Sequence, residues 1–337
     1  MEAVRLGIVG LGRLGYQHAK NIAFRTRGAE LGAYCSVIDS ELEQASRDFP
    51  GAKGYSNYPD MLADKSLDAI FICSPSGLHC QQIEAALEAG YHVFSEKPLG
   101  VNVAECKHAE KVVARYSDQV FMLGFMRRYE DSYMRAKQLI DEGKIGTPFM
   151  VRAYGLDPES AVEGAIRFAP TSGGIFLDMA VHDIDLANWF IGGEPKSIYA
   201  IGGSFVHPEF ASFGDCDNAC VLMQYENGGM AMLYVGRTAA HGYHIETEII
   251  GSKGTLRISP VPQKDLVQIF DQSGVVQECV GGFLERFEKA YLSELHEFVN
   301  CIRERRKPGV KVEDGTLATR IAFAATESYR ENKIVRF

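Results

Sequence analysis

The chain has 337 residues, of which 46% are hydrophobic and 23% are charged, and its formal net charge is -9. This composition is typical of a folded globular protein and disfavours disordered and fibrous classes. The acidic balance, without a long basic run, argues against nucleic acid or an anionic membrane surface as the main partner. The first residues lack a signal-peptide pattern and no run approaches about eighteen apolar residues, so we predict a cytoplasmic protein without a membrane segment.

The eight cysteines are scattered along the chain and show no C-x-x-C spacing. We expect reduced thiols that serve as small hydrophobic residues. The nearest approach to a metal motif is Cys216 and Cys220 with Asp215 and Asp217 beside them. Because this group has no second ligand pair, we predict no bound metal.

The first 125 residues alternate β-rich apolar runs with stretches of helical character. We predict strands over 4–9, 30–35, 69–73, 91–95 and 120–125, and helices over 16–24, 40–48, 58–63, 78–89 and 103–116. Strand-helix alternation of this kind indicates a parallel, doubly wound sheet. We therefore predict an α/β fold in which residues 1–125 form one nucleotide-binding domain.

The motif G-x-G-x-x-G lies at the first predicted strand-to-helix turn, in residues 10–15. Gly10 can make the tight turn, Gly12 lets the backbone approach a pyrophosphate, and Gly15 allows the helix to pack against the strand. Arg13 and Leu14 belong to the same loop, and the N-terminal N–H groups and dipole of the helix that follows favour an anion. A glycine-rich structural turn is the alternative, but the flanking strand and helix favour an NAD(P)-binding Rossmann domain.

The second predicted strand bears on the choice of cofactor. The acidic residue expected at its end, to bind the adenosine ribose, is replaced by Ser36, with Asp39 three residues later. Arg13 could attract a 2′-phosphate, which leaves NADP open. We favour NAD, because Ser36 can hydrogen-bond a ribose hydroxyl and no basic cluster follows it.

Two loops follow the next strong strands, and ligands bind at the carboxyl ends of such strands. Ser74 and His79 belong to the first loop, where His79 fits a cofactor-wall residue better than a catalytic one, since no catalytic partner is evident nearby. Glu96 and Lys97, followed by Pro98, form the second loop. Lys97 is a catalytic candidate, and an exposed ion pair in the loop is the alternative.

After a predicted helix over 129–142, the alternation of strands and helices gives way to successive strands. We predict strands over 148–154, 197–205, 219–225, 230–235, 245–250, 255–258 and 266–271. Because no long helices separate most of these strands, they indicate a large, mostly antiparallel sheet, with a hairpin at residues 227–229. Helical periodicity over 283–305 and 312–332 indicates helices that cover this sheet or dock back on the first domain. We predict that residues 126–337 form a second, α+β domain for substrate binding and oligomerisation.

Asp178 and His182 are four residues apart in a stretch of helical periodicity over 175–190, so both can face the same cleft. A histidine can take a hydroxyl proton near neutral pH, and a carboxylate one turn away can orient its ring. The alternative is a charged, solvent-exposed helix start that includes Asp183 and Asp185. A zinc site would need a third ligand that the sequence does not supply, so metal-assisted oxidation is a minor alternative.

These motifs, in this order, resemble the glucose-fructose oxidoreductase, inositol dehydrogenase and rhizopine-catabolism (Gfo/Idh/MocA) family of NAD(P)-dependent oxidoreductases. The resemblance covers nearly the whole chain and is greatest to bacterial inositol 2-dehydrogenases. It rests on the glycine loop, on S-E-K-P-L at residues 95–99, on G-F-M-R-R-Y at 124–129, on G-G-I-F-L-D-M-A-V-H-D-I-D at 173–185 and on G-Y at 242–243.

The resemblance implies that Lys97, Asp178 and His182 are catalytic: His182 as the base, Asp178 as its orienter and a substrate contact, and Lys97 polarising the reacting hydroxyl. It implies further contacts to the hydroxyls of the polyol substrate from Arg127, Asp157, His241 and Tyr243. It also implies a homo-oligomer, with a tetramer favoured, that forms through one face of the large sheet.

Two departures from the myo-inositol enzymes concern the substrate site. Gly155 and Asp157 stand where a histidine and an asparagine are typical, and the Gly173-Gly174 approach to Asp178 also differs. We therefore expect oxidation of one hydroxyl of either myo- or scyllo-inositol. The alternatives are another sugar or polyol as substrate and a dinucleotide-binding regulator without turnover.

Overall fold

The computed structural model describes residues 2–337, which form two compact units. The first unit holds the residues up to Met126 together with Lys289–Thr319, and the second holds Arg127–Glu288 together with Arg320–Phe337. Within residues 2–337, no helix combines the length and the apolar character that a membrane crossing needs.

The first unit contains a sheet of six strands in the order β3-β2-β1-β4-β5-β6, and every neighbouring pair is parallel. Its strands are β1 (Val4–Val9), β2 (Ala29–Cys35), β3 (Lys53–Tyr55), β4 (Ala69–Ile72), β5 (His92–Glu96) and β6 (Phe121–Gly124). The order reverses between β1 and β4, and ligands of doubly wound sheets bind at such a switch point, beyond the carboxyl ends of the strands. The predicted doubly wound sheet is confirmed.

Helices connect these strands, and their bounds lie close to the prediction. They are α1 (Arg13–Phe24), α2 (Asp39–Asp48), α3 (Tyr58–Leu62), α4 (His79–Glu88) and α5 (Val103–Arg115). Asn57 and Asn102 each accept a hydrogen bond from the N–H group of the third residue of the helix that follows, α3 or α5, so both helices begin at an asparagine cap. Strand β3 was not predicted, because its three residues include no buried apolar side chain.

The second unit contains a seven-stranded sheet in the order β12-β11-β7-β10-β9-β8-β15. Its strands are β7 (Pro148–Pro158), β8 (Pro195–Gly203), β9 (Asn218–Tyr225), β10 (Met230–Ala239), β11 (His244–Gly251), β12 (Gly254–Ile258) and β15 (Val335–Arg336), and β13 (Gln268–Asp271) with β14 (Gly274–Gln277) forms a separate hairpin. The β7-β10 pair is parallel and all other neighbours in the large sheet are antiparallel. The predicted mostly antiparallel sheet is confirmed.

The second unit also contains helices, most of which lie between its strands in the chain. They are α6 (Asp131–Asp141), α7 (Val162–Ser172), a π-helix (Phe176–Ala180), α8 (Val181–Ile191), α9 (Glu209–Ser212) and α10 (Phe283–Arg286). Helix α7 was not predicted, and its sequence contains Pro170, which ordinarily argues against a helix interior. It ends at Gly173, whose φ of +79° suits glycine.

The last two long helices are α11 (Glu288–Glu304) and α12 (Val312–Glu331). The sequence predicts one helix over 283–305, whereas the structure ends α10 at Arg286 and begins α11 at Glu288. Whether this region covers the large sheet or docks back on the first domain was open from sequence. In the structure Lys289–Thr319 belongs to the first unit, and Phe298 packs edge to face on Phe94 of β5, with the ring centroids 5.7 Å apart.

Candidate active site

The glycine loop joins β1 to α1. At Gly10 and Gly15 its backbone lies so close to neighbouring backbone atoms that a side chain would not fit. Gly10 has a φ of +89°, and a Cβ there would lie 2.6 Å from the backbone of Cys73. A Cβ at Gly15 would lie 2.0 Å from the carbonyl oxygen of Gly10, whereas one at Gly12 would have no atom within 4 Å. No side chain caps the start of α1 at Gly12. The loop therefore offers open space beside a helix N-terminus, which fits the pyrophosphate of a dinucleotide.

At the end of β2, the structure reveals a carboxylate that sequence reasoning missed. Ser36 is buried, and its hydroxyl donates a hydrogen bond to Glu41 Oε2, 2.5 Å away. The backbone N–H of Ile38 donates to the Ser36 Oγ at 3.1 Å. Asp39, the acidic residue considered from sequence, is exposed. The sequence did contain a signal that could have identified Glu41, because it is an acidic residue in the first turn of the helix that follows the second strand.

His79 ties together the two loops that follow β4 and β5. Its Nε2 lies 2.8 Å from the carbonyl oxygen of Ser74, and its Nδ1 lies 2.8 Å from that of Pro98. Burial lowers the pKa of His79, so the ring is neutral near pH 7 and donates to one carbonyl at a time. The contacts of the His79 ring are thus with the backbone of both loops.

Glu96 is buried behind Lys97. Its Oε1 lies 2.8 Å from Nε2 of the buried His18, and its Oε2 accepts a hydrogen bond of 3.2 Å from the backbone N–H of Lys97. Sequence reasoning missed His18, which lies 78 residues before Glu96 in the chain. Glu96 therefore holds the Lys97 backbone in place from inside the unit.

His18, Cys73 and Glu96 are the one group in residues 2–337 whose ligand atoms approach metal-site spacing, all within 4.8 Å of one another. The His18 Nε2 to Glu96 Oε1 separation of 2.8 Å is a hydrogen bond. Zinc ligands with bonds of about 2 Å in a tetrahedral site lie farther apart than this, at roughly 3.3 Å. The geometry therefore favours a hydrogen-bonded pair over a metal centre.

In the second unit, Asp178 and His182 lie on consecutive helical segments. Asp178 is in the π-helix Phe176–Ala180, and the buried His182 is in the first turn of α8. The wide π-turn was not predicted, and π-turns within helices recur at functional sites. Gly174 fixes the backbone that leads into the π-helix. Its φ is +84°, and its carbonyl oxygen accepts a hydrogen bond of 2.9 Å from the Asp178 N–H.

Arg237 on β10 anchors Asp178 and was missed by sequence reasoning. Its Nη2 lies 3.4 Å from Asp178 Oδ2 and 3.7 Å from Asp215 Oδ2. The guanidinium also lies 4.8 Å from the centroid of the Phe210 ring. Asp215 in turn accepts a hydrogen bond of 2.8 Å from the Ile175 N–H, so the same network holds the start of the π-helix.

Arg127, Asp157 and Tyr243 are drawn together around Asp183. Arg127 Nη1 donates to Asp183 Oδ1 at 2.6 Å, and both side chains are buried. Burial raises the pKa of Tyr243, Arg127 beside it opposes that shift, and the charges of Asp157 and Asp183 add to it. The three predicted substrate contacts thus share one polar region, in which Arg127 and Tyr243 are buried and Asp157 is half-buried.

Gly155 and His241 are the remaining residues that the sequence links to the substrate site. A Cβ at Gly155 would lie 2.6 Å from Asp183 Oδ2, so the carboxylate occupies the space that a side chain at residue 155 would need. His241 is exposed, and its Nε2 lies 3.1 Å from Nδ1 of His244. The hydrogen-bond partner of His241 is therefore another histidine.

Comparisons with known proteins identify the family. Residues 4–125 match the model "Oxidoreductase family, NAD-binding Rossmann fold", and residues 133–257 match the "GFO/IDH/MocA C-terminal domain". The chain is 32% identical over 333 residues to the myo-inositol 2-dehydrogenase of Thermotoga maritima (99% of this chain, 98% of the relative). It is 33% identical over 336 residues to the scyllo-inositol 2-dehydrogenase (NAD(+)) of Bacillus subtilis (99% and 96%).

Solved structures of inositol dehydrogenases are also similar to this chain. A crystal structure of the scyllo-inositol dehydrogenase from Lactobacillus casei, with bound cofactor NAD(H) and scyllo-inositol, superposes with a TM-score of 0.96 at 45% identity, covering 99% of each chain. The myo-inositol 2-dehydrogenase from Lactobacillus plantarum has a TM-score of 0.97 at 39% identity, covering 100% of each chain. The chain therefore belongs to the GFO/IDH/MocA family of NAD-binding oxidoreductases.

Proposed function

We propose that the chain is an NAD-dependent inositol 2-dehydrogenase, which oxidises one secondary hydroxyl of myo- or scyllo-inositol to the ketone. The observation that carries the proposal is the placement of Asp178 and His182 on consecutive helical segments, with Asp178 anchored by a buried arginine. The related Lactobacillus casei enzyme binds NAD(H) and scyllo-inositol. When bound, NAD takes up the hydride that leaves the hydroxyl-bearing carbon.

In this proposal His182 takes the hydroxyl proton. A neutral imidazole can accept a proton near pH 7. Asp178 stabilises the charged ring and accepts a hydrogen bond from the substrate, and the Arg237 guanidinium, 3.4 Å from Asp178 Oδ2, holds the carboxylate in place.

We assign Lys97 the role of polarising the reacting hydroxyl with its ammonium group. Its backbone is held by Glu96, and the carbonyl oxygen of the next residue, Pro98, contacts His79. A lysine that stabilises the developing negative charge on oxygen must be positioned before the reaction, because reorganisation would otherwise oppose the gain.

We propose that the remaining hydroxyls bind at the region of Arg127, Asp157 and Tyr243, with His241 nearby in sequence. An unpaired buried polar group costs about 1–3 kcal/mol, so a site with many fixed donors and acceptors selects a ligand with many hydroxyls. Both candidate stereoisomers fit this chemistry, and Gly155 marks where the site departs from the myo-inositol pattern.

We also propose a cytoplasmic homo-oligomer, with a tetramer favoured. Three apolar side chains on neighbouring strands of the large sheet are exposed, namely Ile201, Leu222 and Met230. An exposed apolar face of this kind is typical of a subunit interface. Light scattering of the purified protein gives the molar mass directly, and a monomer would contradict this proposal.

The activity test follows reduced nicotinamide by absorbance, with NAD or NADP and a panel of myo-inositol, scyllo-inositol, D-chiro-inositol and glucose. We expect turnover of an inositol with NAD and its loss in His182→Ala, while NAD binding persists. The exposed His108, which pairs with Glu84, supplies the control variant His108→Ala. NAD binding by the wild type without turnover of any polyol would favour a regulator instead.

A further inference from the structure

The end of β2 lacks the acidic side chain that dinucleotide-binding domains usually place there. In such domains an Asp or Glu accepts a hydrogen bond from the 2′-hydroxyl of the adenosine ribose, and an arginine nearby accommodates the 2′-phosphate of NADP. Ser36 directly follows β2 in this chain. A serine alone carries no charge and would discriminate poorly between a hydroxyl and a phosphate.

Ser36 is held rigidly. It is buried, its backbone N–H donates to the carbonyl oxygen of Tyr55 at 3.2 Å, and its Oγ accepts from the Ile38 N–H at 3.1 Å. Its single hydroxyl proton is committed to Glu41 Oε2 at 2.5 Å. The Ser36 hydroxyl therefore orients a carboxylate and has no second proton to offer a ligand.

Glu41 supplies a carboxylate at the end of β2, where residue 36 itself has no acidic side chain. It lies in the first turn of α2, where the helix dipole stabilises a negative charge. The side chain is half-buried, so the carboxylate is fixed by Ser36 and still reachable from solvent.

The residues between Ser36 and Glu41 support a ligand at this point. Val37 is 85% exposed and Ile38 is 49% exposed, although both are large and apolar. Exposed apolar side chains next to a fixed carboxylate fit an adenosine, which presents an apolar ring face and a hydroxylated ribose.

We propose that Glu41, oriented by Ser36, binds the adenosine ribose hydroxyls and excludes the 2′-phosphate, so that this pair sets the preference for NAD over NADP. Glu41 accepts a hydrogen bond from the uncharged ribose and repels the phosphate by its like charge. The inference rests on the NAD-linked reaction proposed above, but it concerns cofactor binding alone.

The test measures equilibrium binding of NAD+ and NADP+ to the full chain by calorimetry, with no polyol present. Loss of one charge-assisted hydrogen bond corresponds to roughly tenfold in affinity. For Glu41→Gln we expect NAD+ affinity to fall about tenfold and NADP+ affinity to stay or rise, which shifts their ratio toward NADP+ by about tenfold or more. Glu41→Lys should shift the ratio further, because the charge changes sign.

Two sets of controls separate ligand selection from a structural role in α2. Asp39→Asn and Glu43→Gln remove nearby exposed carboxylates and should leave the ratio unchanged. Ser36→Asp combined with Glu41→Gln should restore NAD+ selectivity by moving the charge back to the strand end. Thermal melting of each variant reports any loss of folding independently of the ratio.

An unchanged ratio in both Glu41→Gln and Glu41→Lys would overturn the inference, as would a wild type that binds NADP+ as tightly as NAD+. Failure of the proposed function has a different signature. In that case the wild type would bind NAD+ selectively and lose selectivity on substitution of Glu41, yet oxidise no inositol.

Discussion

The Nη2 of Arg237 lies 3.4 Å from the Oδ2 of Asp178, and the two residues are 59 positions apart in the chain. Arg237 is 1% exposed, whereas the Asp178 side chain is 23% exposed. A charge fixed in the interior thus holds a carboxylate that reaches the surface of the second unit. The arrangement is suited to holding the Asp178 carboxylate in a fixed orientation for a substrate.

We expect Arg237→Met to lose activity and stability together. Removing the guanidinium removes the positive charge that lies within 4 Å of both Asp178 and Asp215, and removing one partner of a buried ion pair costs about 3 kcal/mol. The fall in kcat should be at least about tenfold, since an Asp178 out of position no longer orients the base. Denaturant unfolding and steady-state kinetics measure the two effects. Arg237→Lys retains the charge and should recover part of both, and full activity in a folded Arg237→Met would contradict the assignment.

Glu294→Gln should change how stability depends on pH. Glu294 is completely buried in α11, and burial together with the charge of Glu96 raises its pKa well above the usual value. A raised pKa means that its contribution to stability is full below about pH 4.5 and is lost as the pH rises toward the folded-state pKa. Glutamine needs no proton, so the advantage of the variant in melting temperature should grow from pH 5 to pH 8.

Glu88→Gln supplies the matched control for that comparison, because Glu88 is exposed at the end of α4. Its melting temperature should follow the wild type at both pH values. If Glu294→Gln also followed the wild type at both values, Glu294 would not be carrying a proton in the folded protein.

Gly15→Ala and Gly12→Ala should separate folding from cofactor binding. A Cβ at Gly15 would meet the carbonyl oxygen of Gly10 at 2.0 Å, so overpacking should destabilise the protein by about 1–3 kcal/mol or more. A Cβ at Gly12 meets nothing within 4 Å, so that variant should fold normally and bind NAD more weakly, since the methyl group occupies the path of the pyrophosphate. Thermal melting and NAD titration give both readouts. Equal stability of the two variants would contradict the close approach of Gly15 to the carbonyl oxygen of Gly10.

Gly155→Ala should disturb the polar region around Asp183. The added Cβ would lie 2.6 Å from Asp183 Oδ2 and displace the carboxylate that pairs with Arg127. We expect a higher KM for inositol with little change in NAD affinity, because the substitution lies in the second unit. Gly164→Ala, in α7 with open space around it, should leave both constants unchanged. An unaltered KM in Gly155→Ala would remove Asp183 from the substrate region.

Features that depend on neighbours in the chain were determined by the sequence itself. The glycine loop, the asparagine caps and the strand-helix alternation act over a few residues, where periodicity and backbone conformation are direct consequences of residue type. That Asp178 and His182 lie on one helical stretch also follows from local spacing, although the π-turn at Asp178 does not. Helix α7 escaped prediction, because Pro170 and the glycines around it disfavour a helix locally.

Partners far apart in the chain were decided by the tertiary structure. His18 meets Glu96 across 78 residues, and Arg127 meets Asp183 across 56. The parallel pairing of β7 with β10 and the place of Lys289–Thr319 in the first unit belong to the same class. Even the pairing of Glu41 with Ser36, only five residues away, depends on the first turn of α2, which places the two side chains in contact. A charged side chain is buried where packing supplies its counter-charge, and residue type and local spacing do not specify which distant residue that will be.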